Sequence, residues 1–185
     1  GAEPWHTTHV TEGEWDPVKN AAADEIVLAN VASIPPERVK ELERLVSNGA
    51  GLMIFCGELM DTTSYNDRLY ADGKGLLPAK LDGAVDGPVN GLVVESVQNS
   101  PLDLLSKIAP AALANVRINR YMSVDDPKNS ADVRVLARWN NSQSAPAVIE
   151  KRFGRGRVLL CTVTADKAWS DWPIDPSFVL ATRAA

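Results

Sequence analysis

The segment DEIVLANVASIPPERVKELERLVSNGAGLMIFCG, residues 24–57, restricts the possible fold more than any other part of the chain. Its first nine residues carry Ile26, Val27, Leu28 and Val31 in a nearly continuous apolar run. Strands buried on both faces have that pattern. PPERVKELERLVSNG (35–49) then changes period. Val39, Leu42 and Val46 fall on one helical face with Leu45 beside them, and Glu37, Lys40, Glu41, Glu43 and Arg44 take the other. Proline in the first turn and Gly49 after Asn48 mark the two ends of the helix. GLMIFCG (51–57) is a second buried strand. Strand, helix and strand with short links form a right-handed βαβ crossover, with parallel neighbours and helices on the sheet faces.

The rest of the chain builds on that unit. Asp61 caps a short helix running to Tyr70, ADGKGLLP (71–78) is a glycine-rich loop, and GPVNGLVVESV (87–97) contains another strand. SPLDLLSKIAP (100–110) reads as a helix with Ser100 as cap and Pro101 in its first position. DVRVLARW (132–139), APAVIEKRF (145–153) and GRVLLCTVT (156–164) are three strands with tight links, which implies antiparallel pairing. Residues 1–23, with Trp5, His6, His9 and Trp15, form an irregular lead-in. The expected fold is therefore α/β, a mostly parallel sheet with an antiparallel C-terminal meander.

At 185 residues the expectation is one domain over 1–185, and Gly1 without a preceding Met suggests an excerpt of a longer chain. The net charge of −5 argues against nonspecific nucleic-acid binding, which needs a basic face. No apolar run reaches the ~20 residues of a membrane span, and no signal peptide is visible.

Cys56 raises the sharpest chemical question, because it ends a buried strand at a turn. A cysteine nucleophile needs a base, and the two histidines, His6 and His9, both precede the first strand. Ile54 and Glu58 also stand where a nucleophile elbow has small residues. Cys56 is thus a weak catalytic candidate, and a buried free thiol is the plainer reading for it and for Cys161; the spacing leaves a disulfide between them open. ADGKG does not match a phosphate-binding P-loop. FGRGRV (153–158) reads as a hairpin turn with solvated arginines rather than an anion nest. TADKAWSDWPIDPSF (164–178) places Trp169 and Trp172 around Asp171, either to stack on a sugar or to close one end of the sheet. Asp166, Asp171 and Asp175 lack metal-loop spacing, so neither a metal nor another cofactor is expected.

Several motifs together resemble a known family. They are Ala29-Asn30-Val31, Gly49-Ala50-Gly51, Tyr65-Asn66-Asp67-Arg68-Leu69-Tyr70, Gly73-Lys74-Gly75-Leu76-Leu77-Pro78 and KRFGRGRVLLCTVTADKAWSDWP. Across about 24–178 they are similar to class I glutamine-amidotransferase-like domains of large membrane-anchored bacterial proteins. Those proteins also carry aerotolerance-regulator-type N-terminal helices and a von Willebrand factor A-like domain. The resemblance implies a flavodoxin-like three-layer α/β/α sandwich. It places position 56 at or next to the elbow that carries the cysteine in catalytic members. It also implies a non-catalytic branch, since the histidine partner is missing. The expectation that follows is a module of a cell-envelope protein that binds a protein partner, other domains of its parent chain, or a ligand. Its ligand site would lie at the carboxyl ends of the parallel strands, near Asn30, Cys56, Gly57, Glu58 and Asp61. Trp169, Asp171 and Trp172 would form a rim. An open sheet edge would admit a homodimer. The alternatives are a Cys56-dependent amidase or hydrolase and a carbohydrate-binding module using Trp169 and Trp172.

Overall fold

A computed structural model describes residues 6–15, 23–95, 102, 107, 110–128 and 130–184. The helix expected over 100–110 lies almost wholly outside the described residues, as does Trp5.

The predicted βαβ unit is present as β1 (Glu25–Ala29), α1 (Pro36–Ser47) and β2 (Gly51–Phe55), with β1 and β2 parallel and in register from Glu25↔Gly51 to Ala29↔Phe55. α1 buries the four expected apolar residues, Val39, Leu42, Leu45 and Val46. Its end follows from Gly49, whose φ of 118° is one that side-chain-bearing residues rarely adopt.

A short helix α2 (Thr62–Tyr65) continues into a π-helical turn, Asn66–Tyr70. Asn66 explains why this turn stays in place: its side chain both donates to the Leu81 carbonyl and accepts from the Leu81 N–H, each at 2.8 Å. The loop that follows holds Ala71, Asp72 and Gly73 in left-handed conformations. Lys151, buried beneath it, donates to the carbonyls of Gly73 (2.8 Å) and Gly75 (2.5 Å).

Strands β3 (Leu81–Asn90), β4 (Leu92–Val94), β5 (Arg117–Val124), β6 (Val133–Trp139), β7 (Pro146–Phe153) and β8 (Gly156–Cys161) follow, with α3 (Pro110–Asn115) before β5 and α4 (Pro176–Ala184) after β8. The main sheet has the order β1-β2-β8-β7-β6-β4. Its β1–β2 and β2–β8 pairs are parallel, and β8–β7, β7–β6 and β6–β4 are antiparallel. The expectation of a mostly parallel sheet is corrected accordingly. The meander supplies more pairings than the crossover does, because its short hairpin links return the chain at once. The strand expected over 87–97 divides in two: its first residues belong to β3, which leaves the main sheet to pair with β5, and only β4 stays in it.

The two faces of the main sheet are buried in separate apolar clusters. Ile26, Leu28, Leu52, Ile54, Val158 and Leu160 lie with α1 on one face; Met53, Phe55, Leu159 and Cys161 lie with Trp172 and Phe178 on the other. The β7–β8 hairpin packs tightly on the end of α1. A Cβ on Gly156 would sit 2.3 Å from the carbonyl oxygens of Val46 and Ala50. Arg155 donates to the Asn48 carbonyl at 2.6 Å, where a cation suits the negative end of the helix. FGRGRV is therefore a hairpin, as expected, but Arg155 is engaged on α1 instead of being solvated.

Candidate functional site

The carboxyl ends of β1, β2 and β8 converge on the expected crevice, and local chemistry fills it. β1 stops at Asn30, whose φ of 52° turns the chain. The Asn30 N–H donates to the Phe55 carbonyl (3.1 Å), and its Oδ1 accepts from the Leu59 N–H (2.9 Å). Gly57 faces that side chain so closely that a Cβ would lie 2.2 Å from Asn30 Oδ1. Asp61 donates its N–H to the Ala32 carbonyl at 2.9 Å and uses Oδ1 to cap α2 at Thr63 and Ser64. The Tyr65 hydroxyl donates to the Val31 carbonyl at 3.0 Å. Asn30, Gly57 and Asp61 thus lie on the two loops that follow β1 and β2, and the polar atoms of Asn30 and Asp61 hold those loops to each other.

Cys56 points away from solvent. It is 0% exposed, and its N–H donates to the Cys161 carbonyl at 3.0 Å. Burial pushes its thiol far above the ordinary cysteine range, with a smaller push from Cys161. Burial likewise pushes Cys161 up to about 12. Both thiols are free. His6 and His9 are exposed in the lead-in. Cys56 is also absent from the residues with positive φ, so it lacks the strained left-handed turn that would lift a nucleophile out of the sheet.

The feature that sequence reasoning missed is Arg120. The small β3–β5 sheet is tied to the chain leaving β8: the Met122 N–H donates to the Thr162 carbonyl (2.7 Å), and the Asn119 and Arg120 N–H groups donate to the Trp169 carbonyl (2.8 and 3.2 Å). This carries Arg120 across the crevice. Its Nη1 meets Glu58 Oε2 at 2.5 Å, its Nε meets Asp86 Oδ1 at 2.6 Å, and its guanidinium lies 6.0 Å from the Trp169 ring centroid. The hydrogen bond from Arg120, and then its charge, hold Asp86 below the usual carboxylate range. No sequence signal pairs residues 62 positions apart; only the small sheet's docking does so. Leu59 stands beside the cluster, 64% exposed, at the tip of the loop.

Trp169 and Trp172 are 4% and 1% exposed, so neither offers a ring face to a sugar. Trp172 donates to Ser177 Oγ at 3.1 Å and meets Phe178 edge-on with ring centroids 5.3 Å apart. Asp171 is occupied by Arg117, through the backbone N–H at 2.7 Å and Nε at 3.0 Å. Burial works to raise its pKa, but the Arg117 hydrogen bonds and charge outweigh that and hold it below the usual aspartate value. The stretch around both tryptophans therefore closes one end of the sheet. Among the described residues no group of His, Cys, Asp and Glu side chains could hold a metal ion.

The class defined by these elements is a mixed α/β protein with a six-stranded sheet and a small accessory sheet. No known family profile and no curated protein matches the chain. Solved structures do. Cytoplasmic Protein STM1381 from Salmonella typhimurium LT2 is similar with a TM-score of 0.65 and 19% identity, over 90% of this chain and 71% of that one. Cytoplasmic Protein STM3548 from the same species gives 0.66 and 15%, over 91% and 72%. A β-galactosidase from Rahnella sp. R3 gives 0.57 and 13%, over 86% of this chain and only 22% of the enzyme. At these identities the likeness is one of fold. The expectation of a cell-envelope location is corrected here: both Salmonella proteins are described as cytoplasmic, and no helix among the described residues is long and apolar enough to cross a membrane.

Proposed function

We propose that this chain is a non-catalytic, glutamine-amidotransferase-like α/β/α sandwich that acts by binding a protein partner, or another domain of a longer chain, through the loop after β2. The observation that carries the proposal is the orientation of that loop. It buries Cys56 completely and presents Leu59, 64% exposed, beside the Glu58–Arg120–Asp86 cluster. An apolar knob framed by both charge signs suits a protein surface. The thiol of Cys56 is closed off from any substrate carbonyl. The sandwich reading is supported by α1 covering one face of the sheet and Phe178 of α4 packing against the other. Among the described residues β1 is an outermost strand of the main sheet, with Val27 53% exposed, and such an edge would admit a second copy.

Two measurements test the proposal. Iodoacetamide at neutral pH should leave Cys56 unmodified in the folded protein, and glutamine should release no ammonia. Rapid, selective alkylation of Cys56 with ammonia release would replace the proposal with an amidase. Quantitative affinity purification should show a partner retained by the wild type and lost from the Leu59→Asp, Glu58→Lys variant. Identical recoveries would remove this loop as the contact.

A further inference from the structure

The amino ends of the same strands hold a second concavity, a cavity of about 260 Å³ lined by Asp24, Glu25, Gly51, Met53, Arg157 and Leu159 among others. The sheet register explains its shape. Glu25 on β1 is opposite Gly51 on β2, and Gly51 is opposite Arg157 on β8, so the three form one row on one face of the sheet. Adjacent strands are ~4.8 Å apart, which puts the outer two Cα atoms about 10 Å from each other. The middle position has no side chain. The result is a notch with a carboxylate on one wall, a guanidinium on the other and Met53 and Leu159 in the next row as floor.

The charges on the two walls are not used on each other. Arg157 leans toward Glu150, 3.6 Å away, and Glu150 is already engaged by Arg134. Glu25 is half-buried, and no hydrogen bond or ion pair to its side chain appears among the described residues. Burial raises its pKa above the ordinary glutamate value, as expected of a carboxylate that has lost water without gaining a cation. Gly51 is not held in a left-handed conformation, and a Cβ there would make only ordinary contact, 3.7 Å from Glu25 Cγ. A β-branched residue would suit this strand position better than glycine does. Glycine therefore leaves the notch open at a place where the backbone does not require it.

We propose that this notch is a binding site for a small zwitterion of the α-amino-acid class, its ammonium on Glu25 and its carboxylate on Arg157. The volume suits a ligand of that size, and the opposed walls match its two charges in sign. The lining carries both signs of charge, Asp24 and Glu25 against Arg155 and Arg157, and so favours a ligand that carries both. The site lies at the opposite ends of the strands from the loop of residues 57–61, so the proposal goes beyond the partner-binding reading and fails or holds independently of it.

Isothermal titration calorimetry of the whole chain with the twenty free amino acids tests the proposal, with propylamine and propionate as the two half-ligands. At least one amino acid should bind saturably, and each half-ligand should bind at least tenfold more weakly. Glu25→Gln and Arg157→Gln should each weaken the amino acid tenfold or more. Gly51→Val should abolish binding while the unfolding midpoint stays equal to or above that of the wild type. That variant separates loss of the site from loss of the fold. The proposal is overturned if no amino acid binds at 10 mM, if propylamine binds as tightly as the best amino acid, or if Gly51→Val binds like the wild type.

Discussion

Replacing Lys151 with methionine should destabilise the protein by about 1–2 kcal/mol at neutral pH, a net of two opposed effects. The ammonium donates to the carbonyls of Gly73 and Gly75. Gly73 is exposed, so water can replace the lost donor there; Gly75 is buried, and its carbonyl would be left unsatisfied. An orphaned buried acceptor costs about 1–3 kcal/mol. Against this, methionine fills a similar volume and removes the cost of holding a charge in the core. Burial accordingly lowers the Lys151 pKa from its ordinary 10.5, with the charge of Asp132 opposing. Between the lowered native value and 10.5 the unfolded chain holds more protons than the folded one. Wild-type stability should therefore rise with pH through that window, and the variant should lack this contribution. Urea titrations followed by tryptophan fluorescence, at pH 7.5 and at pH 10, read both effects. The wild type should be the more stable at pH 7.5 and its advantage larger at pH 10. A variant as stable as the wild type at pH 7.5, or an advantage that shrinks with pH, would refute the argument.

Other perturbations have equally definite outcomes. Gly156→Ala should cost more than about 2 kcal/mol in the same titration, because the backbone carbonyls of Val46 and Ala50 cannot yield to a Cβ 2.3 Å away. Asp61→Ala should cost about 0.5–2 kcal/mol through loss of the α2 cap, measured as a lower urea midpoint. Arg120→Gln should let the Asp86 carboxyl titrate upward toward 3.8, observable by side-chain NMR, since the guanidinium is what holds it down. Mass spectrometry after alkylation should find Cys56 and Cys161 protected in buffer and both modified in denaturant.

The βαβ unit and the C-terminal meander were legible in the sequence because their periods are strong and their ends are marked by proline and glycine. β5 was not. In RINRYMSV the buried residues Ile118, Tyr121, Met122 and Val124 follow neither a strict alternation nor a helical period, and the register slips twice along its partner β3. Asn30 and Gly57 follow the ends of the adjacent strands β1 and β2, and Asp61 lies on the loop after β2, so their neighbourhood follows from the crossover. What their polar atoms do was not legible, since the Leu59 N–H and the α2 cap are set by loop geometry. Trp169 and Trp172 illustrate the opposite limit: flanking aspartates gave them a surface character that Asp171 lost by turning to Arg117. Arg120 left no trace, because its partners are assembled only when the small sheet docks.

The position of β8 sets the order of events in folding. It follows every other strand along the chain, yet in the sheet it lies between β2 and β7 and pairs with both. Until it arrives, the crossover half and the meander half have no common hydrogen-bonded boundary, and the apolar residues on both flanks remain wet. A nascent chain must therefore keep the β1–β2 pair waiting, exposed on its inner edge, through more than a hundred further residues of synthesis. Such delayed insertion of a central strand slows folding and lengthens exposure to misassociation. A chaperone acting on this protein would have most to shield at the inner edge of β2.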